Sequence, residues 1–78
     1  MKGPWIKRKL LGERKLDKLN DGSTTILKAF WKQWVDGDEC LDIMKYIRFK
    51  NGKEQAFFPV QHIQIVWSLA EPYLKLFS

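Results

Sequence analysis

Apolar and polar positions alternate most cleanly in the second half of the chain. Leu41, Ile43, Ile47 and Phe49 interleave with Asp42, Met44, Tyr46 and Arg48, the two-residue period of a half-buried strand. Asn51-Gly52 follows, a pair that supplies positive φ at both centres of a type I′ turn. Lys53 to Phe58 then returns as the second arm of a β-hairpin. A two-residue turn sets Ile47 opposite Ala56, Phe49 opposite Glu54, Tyr46 opposite Phe57 and Lys45 opposite Phe58. One face then gathers Ile47, Phe49, Ala56 and Phe58, and the other Tyr46, Arg48, Gln55 and Phe57. Pro59 has no N–H for the ladder, so it ends or bends this second arm.

The flanking segments are less decided. Residues 60–67 fit a strand, with Ile63, Ile65 and Trp67 on one side, or a helix that groups Val60, Ile63 and Trp67. Their β-branched content favours a third strand. Ser68 to Glu71 has the form of a capping box, and Pro72 is an alternative helix start. From there Tyr73, Leu74 and Phe77 can pack back on the sheet. Upstream, Leu27, Phe30, Trp31 and Trp34 obey helical spacing, with Ser23 to cap and Gly37 to stop. Thr24, Thr25, Ile26 and Val35 argue for a strand instead, and Asp36-Gly37 is itself a hairpin signal. Residues 5–19 carry a ragged apolar stripe (Ile6, Leu10, Leu11, Leu16, Leu19), interrupted by Gly12. They fit a short helix, two extended pieces, or an arm ordered on binding.

A lone hairpin is marginal in water, so these elements predict a small single α+β domain. One aromatic amphipathic helix over 26–35 lies on a two- or three-stranded antiparallel sheet. If 24–35 is a strand, the body becomes an all-β meander joined by Asp36-Gly37 and Asn51-Gly52, an SH3-like or Sm-like small barrel.

Charge divides the chain in two. Residues 1–20 hold seven cations against two carboxylates, and residues 21–78 hold seven of each. A basic N-terminal arm, 1–20, therefore precedes a neutral, aromatic-rich body, 21–78. Lys7, Arg8, Lys9, Arg14, Lys15 and Lys18 form a cluster of the kind that tracks phosphates. Trp5, Tyr46 and Phe57, beside Arg48, resemble a base-stacking platform with a cationic border. Four phosphate contacts would give a log–log salt slope of about −3 to −4.

Candidate chemistry is sparse. The chain has one histidine, His62, and one cysteine, Cys40, so no disulfide and no zinc-ligand pair arises. These two fit a surface imidazole and a buried thiol better than a catalytic pair. Asp36, Asp38, Glu39 and Asp42 cluster near a turn without the order of a calcium loop. Phosphate loops and nucleophile elbows are absent from the sequence. No enzyme, metal or cofactor is expected. The lone cysteine and the lack of an apolar leader or bilayer-length run point to a soluble, cytoplasmic chain.

The function expected is that of a non-enzymatic small basic protein whose N-terminal arm contacts nucleic acid or a nucleoprotein complex. The alternative is a small phage or mobile-element type inhibitor or adaptor that docks on a larger host protein complex, using its aromatic excess. Pairing into a homodimer is another way to complete so small a core. A membrane surface is the weakest partner for the Trp, Ile and Leu residues interleaved with cations.

Overall fold

The computed structural model describes residues 5–77, with Trp5 described through its backbone only. Five strands form one open antiparallel sheet: β1 (Trp5–Lys18), β2 (Thr24–Trp34), β3 (Glu39–Arg48), β4 (Glu54–Ala56) and β5 (His62–Val66). The order is β1-β2-β3-β4, with β5 also paired to β3. β4 and β5 lie end to end along the outer side of β3. The Phe57 N–H donates to the Lys45 carbonyl, and the Lys45 N–H donates to the Gln61 carbonyl. Residues 58–60 thus leave the ladder between them, and the Phe58–Pro59 peptide in this excursion is cis. After β5 the chain turns through 3₁₀ turns at Trp67–Leu69 and Lys75–Phe77, which flank the one-turn helix α1 (Glu71–Leu74).

The helix expected over 26–35 is strand β2. The reason lies in which faces are covered. Leu27, Ala29 and Trp31 share one face with Leu41 and Ile43, while Ile26, Phe30 and Trp34 point to the other. Both faces of β2 are buried along much of its length, so polar–apolar alternation is lost and a helix-like spacing remains. The all-β meander, with its joins at Asp36-Gly37 and Asn51-Gly52, is the arrangement found, but the sheet stays open rather than closing into a barrel. The third strand after Pro59 is present as β5. The final helix begins at Glu71, with Pro72 in its first turn and no side-chain cap from Ser68.

The three hairpin turns repeat one design. Gly22, Gly37 and Gly52 have φ of 88°, 91° and 89°. Each N–H donates to the carbonyl three residues back, at Leu19, Trp34 and Phe49. Before each glycine, Asp21, Asp36 or Asn51 accepts the N–H two residues on with its side-chain oxygen. This is a type I turn closed by a left-handed residue, the three-residue hairpin loop. At Asn51-Gly52 it replaces the expected two-residue turn and shifts the register by one. Tyr46 pairs with Ala56, Ile47 with Gln55 and Arg48 with Glu54. A one-residue slip moves every side chain to the other face.

Residues 5–18 belong to the sheet rather than hanging from it. β1 pairs with β2 from end to end and is continuous through Gly12. Its register shifts at Ile6, Leu11 and Leu16, three apolar residues spaced five apart. Each extra residue breaks the alternation, which accounts for the ragged stripe.

The core lies between the sheet and the C-terminal turns. Ala29, Leu41, Ile43 and Ala70 are buried there, with Leu27, Ile65, Trp67, Leu74 and Phe77 packed around them. Gly12 permits this closure, since a Cβ would stand 3.1 Å from both the Cβ and the carbonyl oxygen of Phe77. The opposite face buries Ile26, Phe30 and Cys40 under long polar side chains. Among the described residues, no helix is long and apolar enough to cross a membrane.

Candidate nucleic-acid interface

The polar face of the sheet shows how this chain treats its charges. Lys32 of β2 and Asp42 of β3, diagonal neighbours on one face, with Lys32 opposite Cys40 and Asp42 opposite Phe30, form an ion pair in which Asp42 is 1% exposed. His62 Nδ1 lies 3.4 Å from the other Asp42 oxygen. Further along the same face, Glu54 takes Lys28 on one oxygen and Arg48 Nε on the other, the latter at 2.6 Å. Arg48 also reaches Glu13 of β1 at 2.7 Å. The Glu54 carboxyl is held below the usual carboxylate range, first by the Lys28 hydrogen bond and also by that of Arg48, against the opposing effect of burial. The Arg48 guanidinium is stabilised in turn, chiefly by Glu54. The cations on this face, Lys28, Lys32 and Arg48, are therefore matched by carboxylates, with Glu13 joining from β1.

β1 is different. Lys7, Lys9, Arg14, Lys15 and Lys18 are exposed, and their side chains have no ionic, hydrogen-bonding or ring partner among the described residues. By register, Lys7, Lys9 and Arg14 stand on the face of Gln33, Trp31 and Leu27, while Lys15 and Lys18 stand on the other. They flank an outer strand edge of fourteen residues, unpaired by any other strand among the described residues, at about 3.3 Å each, comparable to the longest molecular dimension of 42 Å. Arg8 is the exception. Its guanidinium lies 3.7 Å from the centroid of the Phe30 ring, and Nη2 donates to the Tyr46 hydroxyl at 3.0 Å.

The expected aromatic platform is not assembled as one surface. Tyr46 and Arg48 lie on the ion-paired face, where Tyr46 is half-buried against Phe30 and beneath Lys28. Phe57, displaced by the register shift, pairs through its backbone with Lys45 on the other face, with the Lys45 ammonium 4.3 Å from its ring centroid. The Trp5 side chain lies outside the described residues. Among those residues the aromatic nearest in register to the free cations is Trp31, opposite Lys9, with its indole N–H donating to Glu39 at 2.8 Å. Helical spacing groups Trp31 with Leu27, Phe30 and Trp34, so the sequence alone does not mark it as a neighbour of the β1 cations.

Cys40 is buried and His62 pairs in register with Met44, four positions along β3 from Cys40, so the two are not brought together. Asp42 is buried against Lys32, away from Asp36 and Asp38. Among the described residues no group of histidine, cysteine and carboxylate side chains is arranged to hold a metal ion.

An apolar cleft of about 820 Å³ opens beside α1 on the core face. Leu16, Leu27, Ile43, Val60, Ile63 and Leu76 contribute its apolar wall, with Arg14 and Lys45 at its margin. Comparison with family models, curated proteins and solved structures finds no match to this chain.

Proposed function

We propose that this protein is a non-enzymatic nucleic-acid-binding module that contacts the phosphate backbone, free or within a nucleoprotein complex, along the outer edge of β1. One observation carries the reading. The three cations on the buried β2–β3 face, Lys28, Lys32 and Arg48, are engaged by carboxylates, whereas five cations of β1 are exposed and without a partner among the described residues along one extended edge. Unpaired cations in a row cost a folded chain self-repulsion, which phosphates relieve while releasing counterions. Trp31 beside Lys9 offers a ring for stacking a base at the same edge.

Titration of labelled single- and double-stranded DNA and RNA by fluorescence anisotropy tests this. With five contacts the log–log salt slope is about −3.5 on single strands and −4.5 on duplex. Absence of binding at low salt overturns the reading.

The apolar cleft supports the second reading, an inhibitor or adaptor that docks on a larger protein complex. Binding of that kind would tolerate salt and weaken when Ile63 or Leu76 is replaced by a polar residue, leaving nucleic-acid affinity unchanged.

A further inference from the structure

The two outer edges of the sheet are built differently, and the difference bears on what pairs with them. An exposed edge invites a further strand, and proteins deter this with bulges, charges and proline. β1 has three bulges and six cations. β5 has neither: its five residues, His-Ile-Gln-Ile-Val, pair one-to-one with β3 without a register shift and contain no lysine, arginine or proline. No strand among the described residues lies on its outer side.

The hydrogen-bond phase of β5 is fixed by its neighbour. The Lys45 N–H donates to the Gln61 carbonyl at 3.1 Å. Bonded and non-bonded pairs alternate along an antiparallel ladder, so Ile63 and Ile65 bond inward to β3. His62, Gln64 and Val66 therefore direct their N–H and C=O groups outward.

We propose that β5 is the seam of a two-fold homodimer, paired antiparallel with β5 of a second copy and centred on Gln64. Under that axis Gln64 meets its own copy, and His62 meets Val66 of the other chain. All three outward-facing residues on each strand become hydrogen-bonded pairs, with no donor or acceptor left over. Ile63 meets Ile65 of the second copy at a close, non-hydrogen-bonded position, twice. Ile63 is 62% exposed in the single chain, and it lies on the same face as Ile43. The pairing extends that apolar face across the seam and opposes no like charges. Such an interface is isologous, as a closed dimer requires.

The seam is short beside a standard interface of about 1,600 Å², so association is weak and depends on concentration. Sedimentation equilibrium of the full chain up to about 1 mM, a concentration that detects even millimolar association, should show monomer and dimer in exchange. Gln64→Pro removes an outward N–H that β3 does not use, and Ile63→Lys places a charge at an exposed position. Each should weaken the dimer at least tenfold with the circular dichroism unchanged. Val35→Lys, at an equally exposed apolar site in the loop between β2 and β3, should leave it intact. Gln64→Cys should form a disulfide-linked dimer under mild oxidation, and Val35→Cys should not. A wild-type chain monomeric throughout, or a dimer that survives both Gln64→Pro and Ile63→Lys, overturns the proposal.

Discussion

Two sets of cations in this molecule have opposite fates. Lys28, Lys32 and Arg48 lie on the face of β2 and β3 among buried apolar side chains, and each is held by a carboxylate. Lys7, Lys9, Arg14, Lys15 and Lys18 lie along β1, exposed and without a partner among the described residues. Burial explains the difference. A charge removed from water must find a counter-charge nearby or the fold is lost, whereas a solvated one has no such requirement. The first set is part of the structure, and the second is available to a partner.

The sharpest way to break this division is at Lys32–Asp42. Asp42→Ala removes the carboxylate that the buried Lys32 ammonium pairs with and should cost about 3–5 kcal/mol, a large share of what a domain this small holds. Urea denaturation followed by circular dichroism measures it. Replacing both partners, Lys32→Met with Asp42→Leu, should recover most of the loss.

Arg8 tests the boundary between the sets, since it belongs to β1 yet rests on Phe30 and Tyr46. Arg8→Gln should lower stability by about 1 kcal/mol, and Lys9→Gln should not, by the same denaturation assay.

The Glu54 cluster gives a smaller effect, legible in pH. The folded-state pKa values of Glu54 and Asp21 are both lowered, the latter chiefly by the Ser23 hydroxyl and N–H. Their contribution is therefore present above the ordinary carboxylate range, near 4, and is lost as pH falls through the lowered folded values. Melting temperature should decline on acidification below about pH 4.5, and Glu54→Gln should flatten that decline. The same variant loosens Lys28 and Arg48 from their partner, so it should raise nucleic-acid affinity slightly.

Much of this arrangement was legible in the residues. The turn dipeptides Asp36-Gly37 and Asn51-Gly52 mark two of the three hairpin loops, and the density of cations in the first twenty residues marks the candidate edge. The rest depended on information that spacing does not carry. β2 is covered on both faces, so Leu27, Phe30, Trp31 and Trp34 imitate a helix. β1 bulges every five residues, so its strand period is hidden. A three-residue loop in place of two separated Tyr46 from Phe57. Which cations would be paired was not readable, because the ion pairs join positions as far apart as Glu13 and Arg48 or Lys28 and Glu54.

The most direct test changes the five unengaged cations together, Lys7, Lys9, Arg14, Lys15 and Lys18, each to Gln. Anisotropy of a labelled single-stranded oligonucleotide is followed across a salt series, beside thermal unfolding of the same protein. The division between the two sets predicts a slope that falls from about −3.5 toward zero, with stability within about 0.5 kcal/mol of the parent. Unchanged binding and slope in a folded variant would contradict it.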